Sequence, residues 1–171
     1  MDYRKFIREV PNFPKPGILF YDITTLLKEA DVFRCVLDDL TARYRDRGVS
    51  KIVGIESRGF ILGGPLADRL SAGFIPVRKP GKLPADLFEV RYNLEYGSSS
   101  LTIHRDAIKI GERVLIVDDL LATGGTADAT VRLVRQLGGE IIGLAFLVEL
   151  AGLKGRDKLD GCDIHALVTY P

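Results

Sequence analysis

Two adjacent carboxylates, Asp118 and Asp119, stand between a continuous apolar run, Val114-Leu115-Ile116-Val117, and a loop of small and hydroxyl residues, Ala122-Thr123-Gly124-Gly125-Thr126. Glycines let backbone N–H groups come close to a ligand. At the start of a helix those groups have no partner within the helix and carry its positive dipole end, so the loop suits a phosphate. A bare anion would be repelled by the acid pair. A sugar diol, by contrast, donates O–H groups to both carboxylates, and a nearby divalent ion further offsets their charge. The pattern therefore points to a sugar phosphate, with an ordinary strand-to-helix turn capped by Thr as the bland alternative. Neither G-x-x-x-x-G-K-[ST] nor G-x-G-x-x-G after a strand occurs, which disfavours an NTPase and a dinucleotide enzyme.

A second charged set follows another apolar run, Lys51 to Ile55: Glu56, Ser57, Arg58 and Gly59. A guanidinium beside a glycine that admits close backbone approach is suited to polyphosphate. The alternative is a surface pair between Arg58 and Glu56. Farther on, Arg78, Lys79 and Lys82 are interleaved with Pro80, Gly81 and Pro84, a composition that excludes helix and central strand and reads as the base of a cationic flap. The flap continues as a hairpin, Leu87 to Tyr92 and Ser99 to His104, with Glu95, Tyr96 and Gly97 near its tip. Glu95 taken alone is solvent decoration, although a carboxylate among cations asks for a reason.

The elements that must position these groups alternate. The run 114–117 suits a strand covered on both faces that stops at the acid pair, and the crevice outside the carboxyl ends of parallel strands is where such sheets bind ligands. Helices are expected from Asp31 to near Gly48, from Phe60, from Thr126 to Leu137 and from Lys154 to Leu159. Further strands are expected over 74–77, 140–150 and 164–170, the last at an edge. Tyr3, Phe6, Ile7 and Val10 recur at helical spacing, which predicts a short helix ending before Pro11. Next, PNFPKPGILFYDIT holds three prolines and a glycine, so its Phe13, Ile18, Leu19 and Phe20 must pack without helix, either on the protein's own surface or against a flat ligand. Together these elements predict an α/β fold, a doubly wound and mostly parallel sheet with an N-terminal hood over about 1–25 and a β-hairpin flap over about 79–103, all in one domain of 1–171.

Composition agrees with one compact domain: 171 residues, 46% hydrophobic and 27% charged, with a net charge of +1 that gives no reason to expect a nucleic-acid or membrane partner. Cys35 and Cys162 lack metal-ligand spacing and read as free thiols, and His104 and His165 read as structural. The N-terminus mixes both charges through its apolar positions and is no signal peptide, so a reducing cytoplasm is the expected setting.

The hydrophobic strand, paired acids and T-G-G-T loop resemble the type I phosphoribosyltransferase family. DDLLATGGT together with FPKPGILFYD, ESRGF, RKPGKLP, LEYG and LVEL is similar to its short bacterial branch that uses adenine. The resemblance implies transfer from 5-phosphoribosyl 1-diphosphate to adenine, giving AMP and diphosphate, with Mg²⁺ held through diphosphate and ribose hydroxyls near Asp118 and Asp119. It also implies roles. Asp118 and Asp119 would hold the ribose diol, and Ala122, Thr123, Gly124, Gly125 and Thr126 the 5′-phosphate. Glu56, Ser57, Arg58, Gly59, Arg78, Lys79 and Lys82 would bind the diphosphate. Leu19, Phe20, Tyr21 and Leu150 would bind adenine, with Phe20 stacking and the backbone of Leu19 and Tyr21 reading its edge. Arg58 and Glu95 are the catalytic candidates, Glu95 at the purine's five-membered ring, and Tyr96 belongs to the flap. A cis peptide at Glu56–Ser57 and a homodimer are further family expectations.

Overall fold

The structure is a computed structural model that describes residues 1–93 and 97–171. The chain divides into two compact units, 1–39 and 40–171.

In the first unit, a 3-10 turn at Tyr3–Phe6 leads into strand β1 (Arg8–Pro11), which pairs antiparallel with β2 (Leu19–Asp22). The helix expected from Tyr3, Phe6, Ile7 and Val10 is therefore one turn followed by a strand. Tyr3 and Ile7 are buried, but the chain straightens at Ile7 and the register Val10↔Phe20 places Val10 in a ladder. Phe13 packs its ring edge-on against Phe20, with centroids 5.1 Å apart. A short helix α1 (Thr24–Leu27) follows, its entry fixed by the Asp22 carboxylate, which accepts from the Thr24 N–H at 2.9 Å and the Thr24 hydroxyl at 2.6 Å. Helix α2 (Ala30–Tyr44) then buries Val32, Val36 and Leu37 along one face.

The second unit is built on a five-stranded sheet in the order β4-β3-β7-β8-β9, formed by β3 (Lys51–Ile55), β4 (Gly73–Val77), β7 (Arg113–Leu121), β8 (Glu140–Leu150) and β9 (Ile164–Tyr170). Every pairing in it is parallel, as the doubly wound reading predicts, and β9 is an edge. Helix α3 (Gly59–Arg69) carries the chain outward from β3 to β4, whereas α4 (Gly125–Gln136) carries it the other way, from β7 to β8. The strand order thus reverses between β3 and β7, the switch point at which open α/β sheets leave a crevice. The last expected helix, 154–159, is a 3-10 turn at Gly155–Lys158.

Side chains explain the layering. Val53 and Ile55 of β3, Ile116 of β7 and Leu144 and Phe146 of β8 pack with Val131 and Val134 of α4 in one buried cluster. On β3, Gly54 leaves room for an aromatic pair: a Cβ there would lie 2.6 Å from the Phe74 ring, and Phe74 meets Phe60 edge-on at 5.6 Å. The hairpin of β5 (Leu87–Asn93) and β6 (Ser98–His104) is tied to the end of β4 by reciprocal backbone bonds between Arg78 and Thr102, 3.0 and 2.7 Å. His104 accepts a structural role, its Nε2 lying 2.8 Å from the Pro84 carbonyl. Among the described residues, no helix is long and apolar enough to cross a membrane.

Candidate active site

The acid pair lies inside strand β7, not beyond its end as the switch from apolar to charged residues predicts. The two neighbours of β7 differ in length. Its ladder with β3 stops at Gly54↔Val117, but β8 continues to pair through Asp118↔Phe146 and Leu121↔Glu149. Asp118 and Asp119 therefore sit on continuous strand while facing the space that opens where β3 ends.

Both carboxylates are nearly sealed from solvent, at 9% and 4% exposure. The Asp119 backbone N–H donates to Asp118 Oδ1 at 2.9 Å, and Arg58 Nε meets Asp119 Oδ2 at 2.7 Å. Burial first, and then the Asp119 charge, push the Asp118 carboxyl well above the ordinary carboxylate range. Burial also raises Asp119, with the Arg58 guanidinium pulling it back. The cleft thus favours ligands that bring O–H donors or positive charge to these two groups.

From the other side, the turn out of β3 brings Glu56 to Gly59 against β7. A Cβ on Gly59 would lie 2.8 Å from the Val117 carbonyl oxygen and 2.9 Å from Asp118 Oδ1, so only glycine admits this approach. The Glu56–Ser57 peptide is cis. The surface pair with Glu56 weighed for Arg58 is not what the structure shows: Arg58 meets Asp119, a partner the sequence did not suggest, and Glu56 instead accepts from Arg78 Nε at 2.7 Å. Lys79 and Lys82 are at the surface, and the Arg78 guanidinium carbon lies 5.9 Å from the Phe60 ring centroid.

The loop 122–126 enters α4 with Gly124 at φ +78, a left-handed conformation that glycine adopts without strain. A Cβ on Gly124 would also lie 2.3 Å from the carbonyl oxygen of Gly155. Gly125 begins the helix beneath Tyr92, whose ring would lie 3.3 Å from a Cβ at that position. A cleft of about 240 Å³ is lined by 56–58 and 118–127. The structure therefore brings together Glu56, Ser57, Arg58, Asp118, Asp119, Ala122, Thr123, Gly124, Gly125 and Thr126, with Gly59 behind them. Arg78, Lys79 and Lys82 stand outside this lining. Leu19, Phe20 and Tyr21 form β2 of the first unit, and Leu150 ends β8 of the second. Glu95 and Tyr96 lie outside the described residues. Reading the sequence missed Gly155, whose one signal was a glycine placed within an expected helix.

A parallel sheet whose switch point holds a buried acid pair, a guanidinium and a glycine-lined helix entrance is the arrangement that the sequence reading expects for a phosphorylated sugar. The phosphoribosyl transferase domain family matches residues 31–167, and the chain belongs to that family. Within it, relatives matched over nearly the full length include adenine phosphoribosyltransferases. The one from Acaryochloris marina is 58% identical over 170 residues, 99% of this chain and 100% of that protein. Among solved structures, the adenine phosphoribosyltransferase of Thermoanaerobacter pseudethanolicus superposes with a TM-score of 0.95 at 51% identity, over 99% of this chain and 98% of that one. The Saccharomyces cerevisiae adenine phosphoribosyltransferase was solved with D-2,5-dideoxy-2,5-imino-altritol 1,6-bisphosphate and adenine. It has a TM-score of 0.92 and 40% identity, over 97% of this chain and 96% of that one.

Proposed function

We propose that the chain transfers the phosphoribosyl group of 5-phosphoribosyl 1-diphosphate to adenine, releasing diphosphate and giving AMP, a purine-salvage reaction. The observation that carries this reading is the convergence of the Asp118–Asp119 pair, Arg58 and the Gly124 loop on one cleft, in a chain with 58% identity to an adenine phosphoribosyltransferase over its whole length. In the reaction the bond from the anomeric carbon to diphosphate breaks, its electron pair leaving with the oxygen. A nitrogen of the purine's five-membered ring forms the new bond and sheds its proton.

Each residue has a task in this scheme. Backbone N–H groups of 122–126 hold the 5′-phosphate and so fix the sugar along the reaction axis. Asp118 and Asp119 accept from the ribose hydroxyls and lie near the positive charge that develops on the sugar as the bond loosens, by analogy with glycoside cleavage. Arg58, with Glu56, Ser57 and Gly59, receives the diphosphate, and Arg78, Lys79 and Lys82 add charge as the flap over 79–103 approaches. Leu19, Phe20, Tyr21 and Leu150 bind adenine, by stacking on Phe20 and by backbone contacts to the base edge. Glu95 bonds the ring nitrogen that loses its proton, and Tyr96 is carried with it on the flap. A pair of carboxylates is a donor set that fits Mg²⁺, which takes one or two protein carboxylates and completes its shell with water and substrate phosphates. It would be held through the diphosphate and ribose hydroxyls with Asp118 and Asp119 nearby, and would offset the charge of the departing diphosphate. The working assembly in this reading is a homodimer in the cytoplasm, supported by the exposed Ile61 and Phe74 of α3 and edge strand β4, and by free Cys35 and Cys162.

The test is diphosphate release from phosphoribosyl diphosphate and Mg²⁺ with adenine, hypoxanthine, guanine, xanthine and orotate in turn. Release with adenine alone is expected. Release with another base instead would discard the base assignment while keeping the sugar-phosphate site. Glu95→Gln is expected to lower kcat by about 10²-fold, the scale of a lost proton-transfer group, while leaving the affinity for phosphoribosyl diphosphate within about threefold. Weakened affinity with kcat intact would remove Glu95 from the chemistry.

A further inference from the structure

We propose that Gly155, held in place by the Glu149–Arg156 ion pair, is the positioning residue that sets the shape of the 122–126 loop. The inference rests on the reading of that loop as the 5′-phosphate site, and it assigns work to a segment that the scheme above leaves idle.

The contact is backbone against backbone. Gly155 is buried, and a Cβ on it would lie 2.3 Å from the Ala122 carbonyl oxygen and 3.0 Å from the Gly124 nitrogen. From the opposite side, a Cβ on Gly124 would lie 2.3 Å from the Gly155 carbonyl oxygen. Two glycines thus meet with no side chain between them, which brings a segment beyond β8 directly under the loop beyond β7. A buttress of this kind works only if the buttress is itself fixed.

Arg156 supplies the fixing. Its Nε and Nη2 donate to Glu149 Oε1 and Oε2 at 2.6 and 2.7 Å, a two-pronged pair, and its Nη1 donates to the Ile164 carbonyl at 3.2 Å. Glu149 is 5% exposed, stands opposite Leu121 of β7 in the ladder, and accepts weakly from the Thr169 hydroxyl of β9 at 3.4 Å. The Arg156 guanidinium holds the Glu149 carboxyl below the usual carboxylate range. The pair therefore clamps the turn Gly155–Lys158 to β8 and β9, at the point where β8 pairs with Leu121, one residue before the loop begins. Because phosphate N–H donors must converge on one group of oxygens, a displacement on the order of 1 Å at Gly124 misdirects them.

A merely structural role would weaken all ligands alike or only the fold; a loop-positioning role weakens those ligands that carry the 5′-phosphate. Calorimetric titration of AMP and of adenosine into the wild-type chain, Gly155→Ala, and the double variant Glu149→Gln/Arg156→Met separates the two. Gly155 does not have a positive φ, so alanine there lacks only space, and the double variant removes both charges and leaves neither orphaned. Each variant disturbs the loop by its own route, so one that fails to fold leaves the other to decide. AMP is expected to bind about tenfold or more weaker, the scale of one lost charge-assisted hydrogen bond, with adenosine unchanged. Equal losses for both ligands, or an unchanged AMP affinity, would overturn the inference. A wild-type chain that binds AMP no better than adenosine would instead overturn the phosphate-loop reading, and the inference with it.

Discussion

Replacing both Asp118 and Asp119 by Asn is expected to lower kcat/KM for phosphoribosyl diphosphate by about 10²–10⁴-fold, while the ligand-free protein stays folded and melts at a higher temperature than wild type. The loss follows from removing the two charge-assisted contacts proposed to the ribose diol, each worth about 1.5–3 kcal/mol. The gain in stability follows from the burial that raises the Asp118 carboxyl. A group with a raised folded pKa favours the folded state below its unfolded pKa, and that contribution disappears as pH rises through the folded value. At neutral pH, wild type therefore carries a buried acid that resists ionisation, and Asn cannot ionise. The amide oxygen of Asn at position 118 keeps an acceptor for the Asp119 N–H that now bonds Asp118 Oδ1 at 2.9 Å, so the backbone loses nothing. Thermal melts from pH 4 upward, alongside steady-state rates, check both halves. The gap in melting temperature is expected to close toward acid pH, at about 2–4 °C for each kcal/mol involved. Unchanged turnover would remove the acids from the ribose site, and a lower melting temperature at neutral pH would contradict their strained burial.

This opposition of activity and stability also explains which parts of the site could be read from sequence. A buried apolar run broken by two acids is so costly in a core that it announces itself, and the glycines at 124 and 125 do the same for the loop. What periodicity could not show was the lengths of the neighbouring strands. Asp118 and Asp119 look like residues past a strand end, yet the eleven-residue β8 extends the ladder beyond them while the five-residue β3 does not. The same kind of ambiguity misplaced the N-terminus. Tyr3, Phe6, Ile7 and Val10 have helical spacing, but a 3-10 turn followed by a strand buries the first and third and pairs the last, and local pattern cannot tell these apart when the partner strand β2 lies beyond a proline-rich bend. Helix α1 has four residues, too few to show a period. Gly155 was least legible because its importance lies wholly in an approach to Gly124 from a segment on the far side of α4 and β8 in the chain. Pairings of long side chains were also hidden: adjacency in sequence suggested Glu56 for Arg58 and no acid for Arg78, and only the three-dimensional arrangement assigns Asp119 to the first and Glu56 to the second.

The Arg58 assignment yields the second large effect, because one guanidinium serves two purposes that substitutions can separate. Arg58→Met removes both the proposed diphosphate contact and the charge that pulls Asp119 back toward ionisation. Lost charge-assisted stabilisation of the leaving group is expected to lower kcat/KM by about 10²–10³-fold. The Asp119 carboxyl rises further, so the residual activity is expected to fall away at a higher pH on its acid side than wild type does. Stability responds less. The Arg58 side chain is 41% exposed, so water takes over part of its role, and the cost is about 1 kcal/mol rather than the roughly 3–5 kcal/mol of a sealed pair. Arg58→Lys keeps the charge but loses the planar fork. It is expected to hold the acid side of the pH profile near the wild-type position while still losing about 10–10²-fold in kcat/KM, since a point charge cannot grip two phosphate oxygens at once. Profiles of kcat/KM against pH for the two variants decide the matter. If Lys and Met shift the acid limb equally, the charge on Arg58 does not control Asp119. If Lys restores full activity, geometry at the diphosphate is not what Arg58 contributes.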